Sequence, residues 1–240
     1  MKKVLAVAVG VMMIGTCGWA QTNVLSQNAV GYVKLTVPAD PVGSEASLLL
    51  ARYDFVAIDG SPTTVEDVLG DQPAKNTVVW IWDRTAGEYI LPAPSLTEFL
   101  GTKTWNNGNE VIQPGDAFWI QNGDGEPATD IFLLGEVPGA NNASETTDVV
   151  DATTFVGYPY PAAVDFDTTA IADVAGVGAV LFRWDPDTQG YVVPGPQKGE
   201  FLGSTFWDPA GTMIQPGEGF YVSLVGAKQT AQEVKPYLWP

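Results

Sequence analysis

Four oxygen-bearing side chains, Asn122, Asp124, Glu126 and Asp130, crowd into the segment NGDGEPATD. Carboxylate and amide oxygens alternating on a loop form the donor set of a hard cation such as calcium. The sixth position of an EF-hand-type loop calls for glycine, however, and here it is Pro127. A solvated acidic loop is the other reading, and no further cofactor is implied.

Two carboxylate pairs recur about a hundred residues apart. Asp83 and Asp185 each follow a tryptophan, in WDRTAGEY and WDPDTQGY. An aspartate there opens a hairpin turn by bonding the backbone two residues on, so the expectation is structural. Glu98 and Glu200 recur in EFLG. Glycosidase chemistry needs two carboxylates about 5–10 Å apart across one bond, and equivalent positions in separate units do not meet that requirement. The chain has no histidine, which removes the commonest general base and the Ser-His-Asp and Cys-His arrangements. Its one cysteine, Cys17, lies near the start, so zinc sites of His and Cys are excluded.

Aromatic residues are the remaining candidates. Trp119 and Tyr221 alternate with Phe118/Ile120 and Phe220/Val222, on the side shared with Ala117/Gln121 and Gly219/Ser223. Small or polar neighbours leave room for an exposed ring that could stack on a sugar, and packing of this face beneath a loop is the other reading. Trp82 and Trp184 instead share a strand face with Val78/Trp80 and Val180/Phe182, which assigns them to a core.

The elements that carry these residues come twice. Shifting the sequence by 102 positions aligns 80–121 with 182–223 without a gap, and 15 of the 42 positions are identical. Weaker likenesses lie upstream: Gly31-Tyr32-Val33 with Gly135-Glu136-Val137, and ASLLLARY (46–53) with ATTFVGYP (152–159). A period of that size is a small domain. TVVWIW and AVLFRW read as strands, and IQPGDAFWI and IQPGEGFYV as Pro-Gly turns entering aromatic strands. Thr63–Glu66 reads as a capping box opening a short helix through Leu69, and Ser95–Glu98 as a single helical turn. The expected fold is all-β: two tandem homologous β-sandwich or partly open barrel domains with one or two short helices. Residues 21–134 form the first and 135–240 the second, joined near GEVPGANNASETTD.

Residues 1–20 read as a signal peptide: Lys2 and Lys3, an apolar stretch from Val4 to Thr16, then small Gly18 and Ala20 before Gln21. Thr16 before Cys17 fits lipidation poorly, so an unlipidated, exported protein of the extracellular space, cell surface or periplasm is expected. Losing Lys2 and Lys3 leaves 9 basic against 28 acidic residues, a net charge of −19. Such a chain repels nucleic acid and anionic lipid, and no membrane span remains after the leader.

The pattern resembles a type of uncharacterised secreted bacterial β-repeat protein. Such proteins open with a segment like QNAVGYVKLTVPA (27–39) and continue with Trp-Asp…Tyr hairpins and Pro-Gly-acidic-x-aromatic strands. The resemblance implies a β-rich envelope or extracellular protein and brings no catalytic residues. The leading expectation is therefore a non-catalytic exported structural or interaction protein, with polysaccharide or envelope proteins as partners. A glycan-binding module using surface aromatics is the alternative, and a secreted hydrolase the third.

Overall fold

A computed structural model describes residues 29–51, 63–137, 144–149, 154–223 and 229–236. The expected signal peptide lies outside them. The chain is all-β; among the described residues there are two short α-helices, and none of the antiparallel sheets closes into a barrel. One series of elements runs β1 (Ala29–Val37), β2 (Ser47–Ala51), α1 (Val65–Leu69), β3 (Val78–Asp83), β4 (Glu88–Tyr89), β5 (Ser95–Phe99), β6 (Thr102–Asn106), β7 (Ala117–Gln121) and β8 (Thr129–Val137). The next begins with β9 (Ser144–Val149), β10 (Thr154–Gly157), β11 (Val164–Asp165), a 3-10 turn (Phe166–Thr168) and α2 (Ala170–Val174). It continues with β12 (Val180–Asp185), β13 (Gly190–Tyr191), β14 (Gln197–Phe201), β15 (Ser204–Asp208), β16 (Met213–Ile214), β17 (Gly219–Ser223) and β18 (Gln229–Val234).

Each series builds a six-stranded sheet and a two-stranded ribbon, and the second adds the short pair β11–β16. The sheet orders match: β2-β7-β3-β5-β6 with β4 on β3, and β10-β17-β12-β14-β15 with β13 on β12. The ribbons are β1–β8 and β9–β18. Alternation along β3 explains the first core. Val79 and Ile81 point to one face, where they meet Leu50, Phe118 and Ile120 from the sheet, Val65 and Leu69 from α1, and Val37, Ile131 and Leu133 from the ribbon. In the second series Val156, Leu181, Phe220 and Val222 pack in the same way on Ile171 and Ala172 of α2 and Ala231 of β18.

The other faces of the two sheets meet in an aromatic seam. Trp80 pairs directly across from Trp119, and Phe182 from Tyr221, so these rings share faces with Trp82 and Trp184. Ring centroids of Trp82 and Tyr89 are 5.1 Å apart, and those of Trp184 and Tyr191 are 5.3 Å apart, both edge to face. Trp119 meets Trp184 at 4.8 Å, and Phe155 touches Trp82, Tyr89, Trp119 and Tyr221. Such pairs each add about 0.5–1.5 kcal/mol beyond area burial. Small residues bring the sheets together: a Cβ on Gly157 would lie 2.3 Å from that of Ala51, and one on Gly219 2.9 Å from that of Ala117. Cross-sheet bonds Ala51 N to Gly217 O (3.0 Å) and Gly157 N to Gly115 O (3.1 Å) repeat the same exchange. Matching positions meeting each other are the mark of an approximate two-fold arrangement.

Several expectations are revised. The face of Trp82 and Trp184 packs on an apolar cluster in the seam between the sheets, while the opposite face of β3, with Ile81, is the first core. Gly31 and Gly135 are cross-strand partners, not equivalents, and position 134/135 falls inside β8. β1 pairs with β8, which ends at Val137, and β18 pairs with β9, which starts at Ser144. Ser95–Glu98 is strand, because β6 folds back on it, and the capping box of α1 is Thr64 with Asp67, one residue later than its sequence pattern indicates.

Two glutamines close sheet edges by presenting an amide that imitates a strand. Gln72 bonds both backbone groups of Phe132, and Gln189 both of Ser47. Two buried charges flank α2. Glu233 accepts from Ile171 N (2.9 Å) at its start, and Lys198 Nζ donates to the carbonyls of Ala172 (2.9 Å) and Asp173 (2.8 Å) at its end. That placement suits the helix dipole. Burial pushes the Glu233 carboxyl up and the Lys198 ammonium down.

Gly157→Ala should destabilise the protein by about 1–3 kcal/mol through overpacking. Gly190→Ala, with nothing nearer than 3.9 Å, should be close to neutral in the same urea titration. The raised Glu233 pKa adds stability below the unfolded carboxylate range, and that stability is lost as pH rises through the folded value. Glu233→Gln should therefore gain on the parent as pH rises from the unfolded carboxylate value, about 4, through the raised folded one. A difference in urea midpoint that stays constant over this range would contradict it.

Candidate functional site

The oxygen-rich loop does not converge. Asn122 is buried; its amide donates to Pro38 O (2.8 Å) and Pro127 O (2.9 Å), and its oxygen accepts from Gly123 N. Asp124 receives Gly43 N, Glu126 pairs with Lys75 at 3.3 Å, and Asp130 pairs with Lys34 at 2.7 Å and accepts from Thr36. Those last two contacts hold the exposed Asp130 carboxyl below its usual range. Each group thus fastens a different piece of chain. Among the described residues no group of three or more acids is placed to hold a metal.

The recurring acids are likewise occupied. Asp83 accepts from Thr85 N (2.7 Å) and Ala86 N (3.0 Å), and Asp185 from Asp187 N (2.9 Å), so both close their hairpins as their positions predict. The acid of each Pro-Gly turn does similar work: Asp116 accepts from Gln113 N (2.8 Å) and Glu218 from Gln215 N (2.9 Å). Each is neutralised by an arginine 2.5 Å away, Arg84 in one case and Arg183 in the other. Glu98 and Glu200 stand exposed on different sheets, β5 and β14.

Trp119 and Tyr221 are half-buried in the seam and not on an open face. The apparent vacancy beside them, at Ala117 and Gly219, is where the opposite sheet crosses. Three tyrosines come close there. Burial, then the neighbouring Tyr89 and Tyr221, pushes the Tyr191 hydroxyl up to about 12. Burial also raises Tyr89, opposed by a hydrogen bond with Trp119. Tyr89 and Tyr191 therefore stay neutral at ordinary pH and serve packing.

The surface feature that residue-by-residue reading missed is in the repeated EFLG. Phe99 faces Thr102 and Phe201 faces Ser204 across two-residue turns, Leu100-Gly101 and Leu202-Gly203. All four turn residues have positive φ: 51° and 80° in the first, 51° and 81° in the second. This is the type I′ hairpin, whose first position favours Asn, Asp or Gly. Leucine there costs on the order of 1–2 kcal/mol. Yet Leu100 and Leu202 are 88% and 89% exposed, and Phe99 and Phe201 are 78% and 68% exposed. Both tips extend from sheet edges, since β6 and β15 end their sheets. An apolar residue at a turn position that disfavours it, written twice, is the signal the sequence carried.

No helix among the described residues is long and apolar enough to cross a membrane. No family model, curated protein or solved structure matches the chain.

Proposed function

We propose that the chain is a non-catalytic, exported interaction module whose contacts are made by its surface hairpins. The observation that carries this reading is the division of labour among its side chains. The carboxylates that recur with the turns hold those turns, the aromatic rings fill the seam, and among the exposed apolar residues Phe99-Leu100 and Phe201-Leu202 recur at matched hairpin tips. Export rests on the leader-like residues 1–20. A glycan platform at Trp119 and Tyr221 is less favoured, because a ring committed to neighbours on several sides has little face for a sugar.

Polysaccharide hydrolysis and tryptophan fluorescence titrations test this directly. No turnover and no spectral shift are expected with any polymer tried. Hydrolysis that disappears on Glu98→Gln or Glu200→Gln would overturn the non-catalytic reading.

A further inference from the structure

The tips at Leu100 and Leu202 hold an apolar side chain in water at a turn position that disfavours it, and such strain persists where exposure has a use. We propose that Phe99-Leu100 and Phe201-Leu202 insert into a neutral, zwitterionic phospholipid surface, seating the protein on a bilayer that it does not span. The inference rests on the interaction reading above and deepens it.

Shape is the first argument. Each tip is a narrow protrusion offering two apolar side chains, whereas a stable protein–protein contact buries about 1,600 Å² in total. A lipid interface needs no matching hollow and rewards apolar area as it enters. Charge is the second. At −19 without Lys2 and Lys3 the exported chain repels further copies of itself and any anionic leaflet. The hairpin 95–106 is locally balanced, with one acid, Glu98, and one base, Lys103. Glu98 and Glu200, each next to its phenylalanine and exposed, suit the cationic end of a zwitterionic headgroup. Repetition is the third: two weak insertions on one chain multiply when both engage one surface.

The test is flotation of the exported chain with phosphatidylcholine vesicles and with mixed phosphatidylcholine–phosphatidylserine vesicles. Binding is expected with the first. It should weaken with the second at low salt and recover as salt screens the repulsion. Leu100→Asn with Leu202→Asn places the favoured Asn-Gly pair in both turns, so its urea midpoint should equal or exceed the parent's while vesicle binding falls at least about tenfold. Phe99→Ser with Phe201→Ser should lose binding as well. A parent that does not float, or a double-Asn variant that floats as well as the parent, would overturn the proposal. So would sedimentation velocity without lipid showing self-association that the double-Asn variant lacks, since the tips would then serve contacts between copies. Hydrolase activity bears on the interaction reading alone, so the two failures are distinguishable.

Discussion

Two sheets each carry one aliphatic face and one aromatic face, and among the described residues the aromatic faces cover each other. That constraint organises the molecule. Each aliphatic face is closed locally by a ribbon and a helix, as Val79 and Ile81 are by Leu133 and Leu69. The aromatic faces meet across the seam, where Trp119 reaches Trp184, and Phe155 reaches Trp82 and Tyr89. Rings of this size pack only if the backbones approach, which is why Gly157 sits against Ala51 and Gly219 against Ala117. A chain without disulfide bonds in this region gains a third apolar cluster from the arrangement.

Matched positions often need the same physical service and obtain it from different residues. The Pro-Gly acid is neutralised by Arg84 in one unit and Arg183 in the other, although Arg183 aligns with Ile81. Backbone carbonyls at or just after the helix end receive Lys103 of β6 near α1 and Lys198 of β14 near α2. Trp184 donates its indole N–H to Ser47 O at 3.0 Å, while Trp82 Nε1 is buried and without an acceptor among the described residues. The backbone plan is common to both units and the polar wiring is specific to each.

Much of this was legible in the residues. Trp82 and Tyr89 bracket a turn and prove to be cross-strand partners, as do Trp184 and Tyr191. The offset that aligned ASLLLARY with ATTFVGYP reappears in the register, where Leu49 and Phe155 face Trp119 and Tyr221. What could not be read was which sheet face looks where. Alternation separates two faces of a strand, but only pairing shows that Trp80 and Trp119 share one, and only packing shows that the shared face is covered by the other sheet. Small residues beside Trp119 read as open space from the sequence, whereas in the fold they admit a neighbouring backbone. Ser95–Glu98 carried a local helix-start pattern that hairpin pairing overrode.

If the seam joins the two units into one cooperative structure, differential scanning calorimetry tests that claim most directly. The account predicts a single unfolding transition whose calorimetric and van't Hoff enthalpies agree, because neither sheet retains its aromatic cover once the other has melted. Two resolved transitions, each with its own van't Hoff enthalpy, would contradict it and reduce the seam to an incidental contact between independent units.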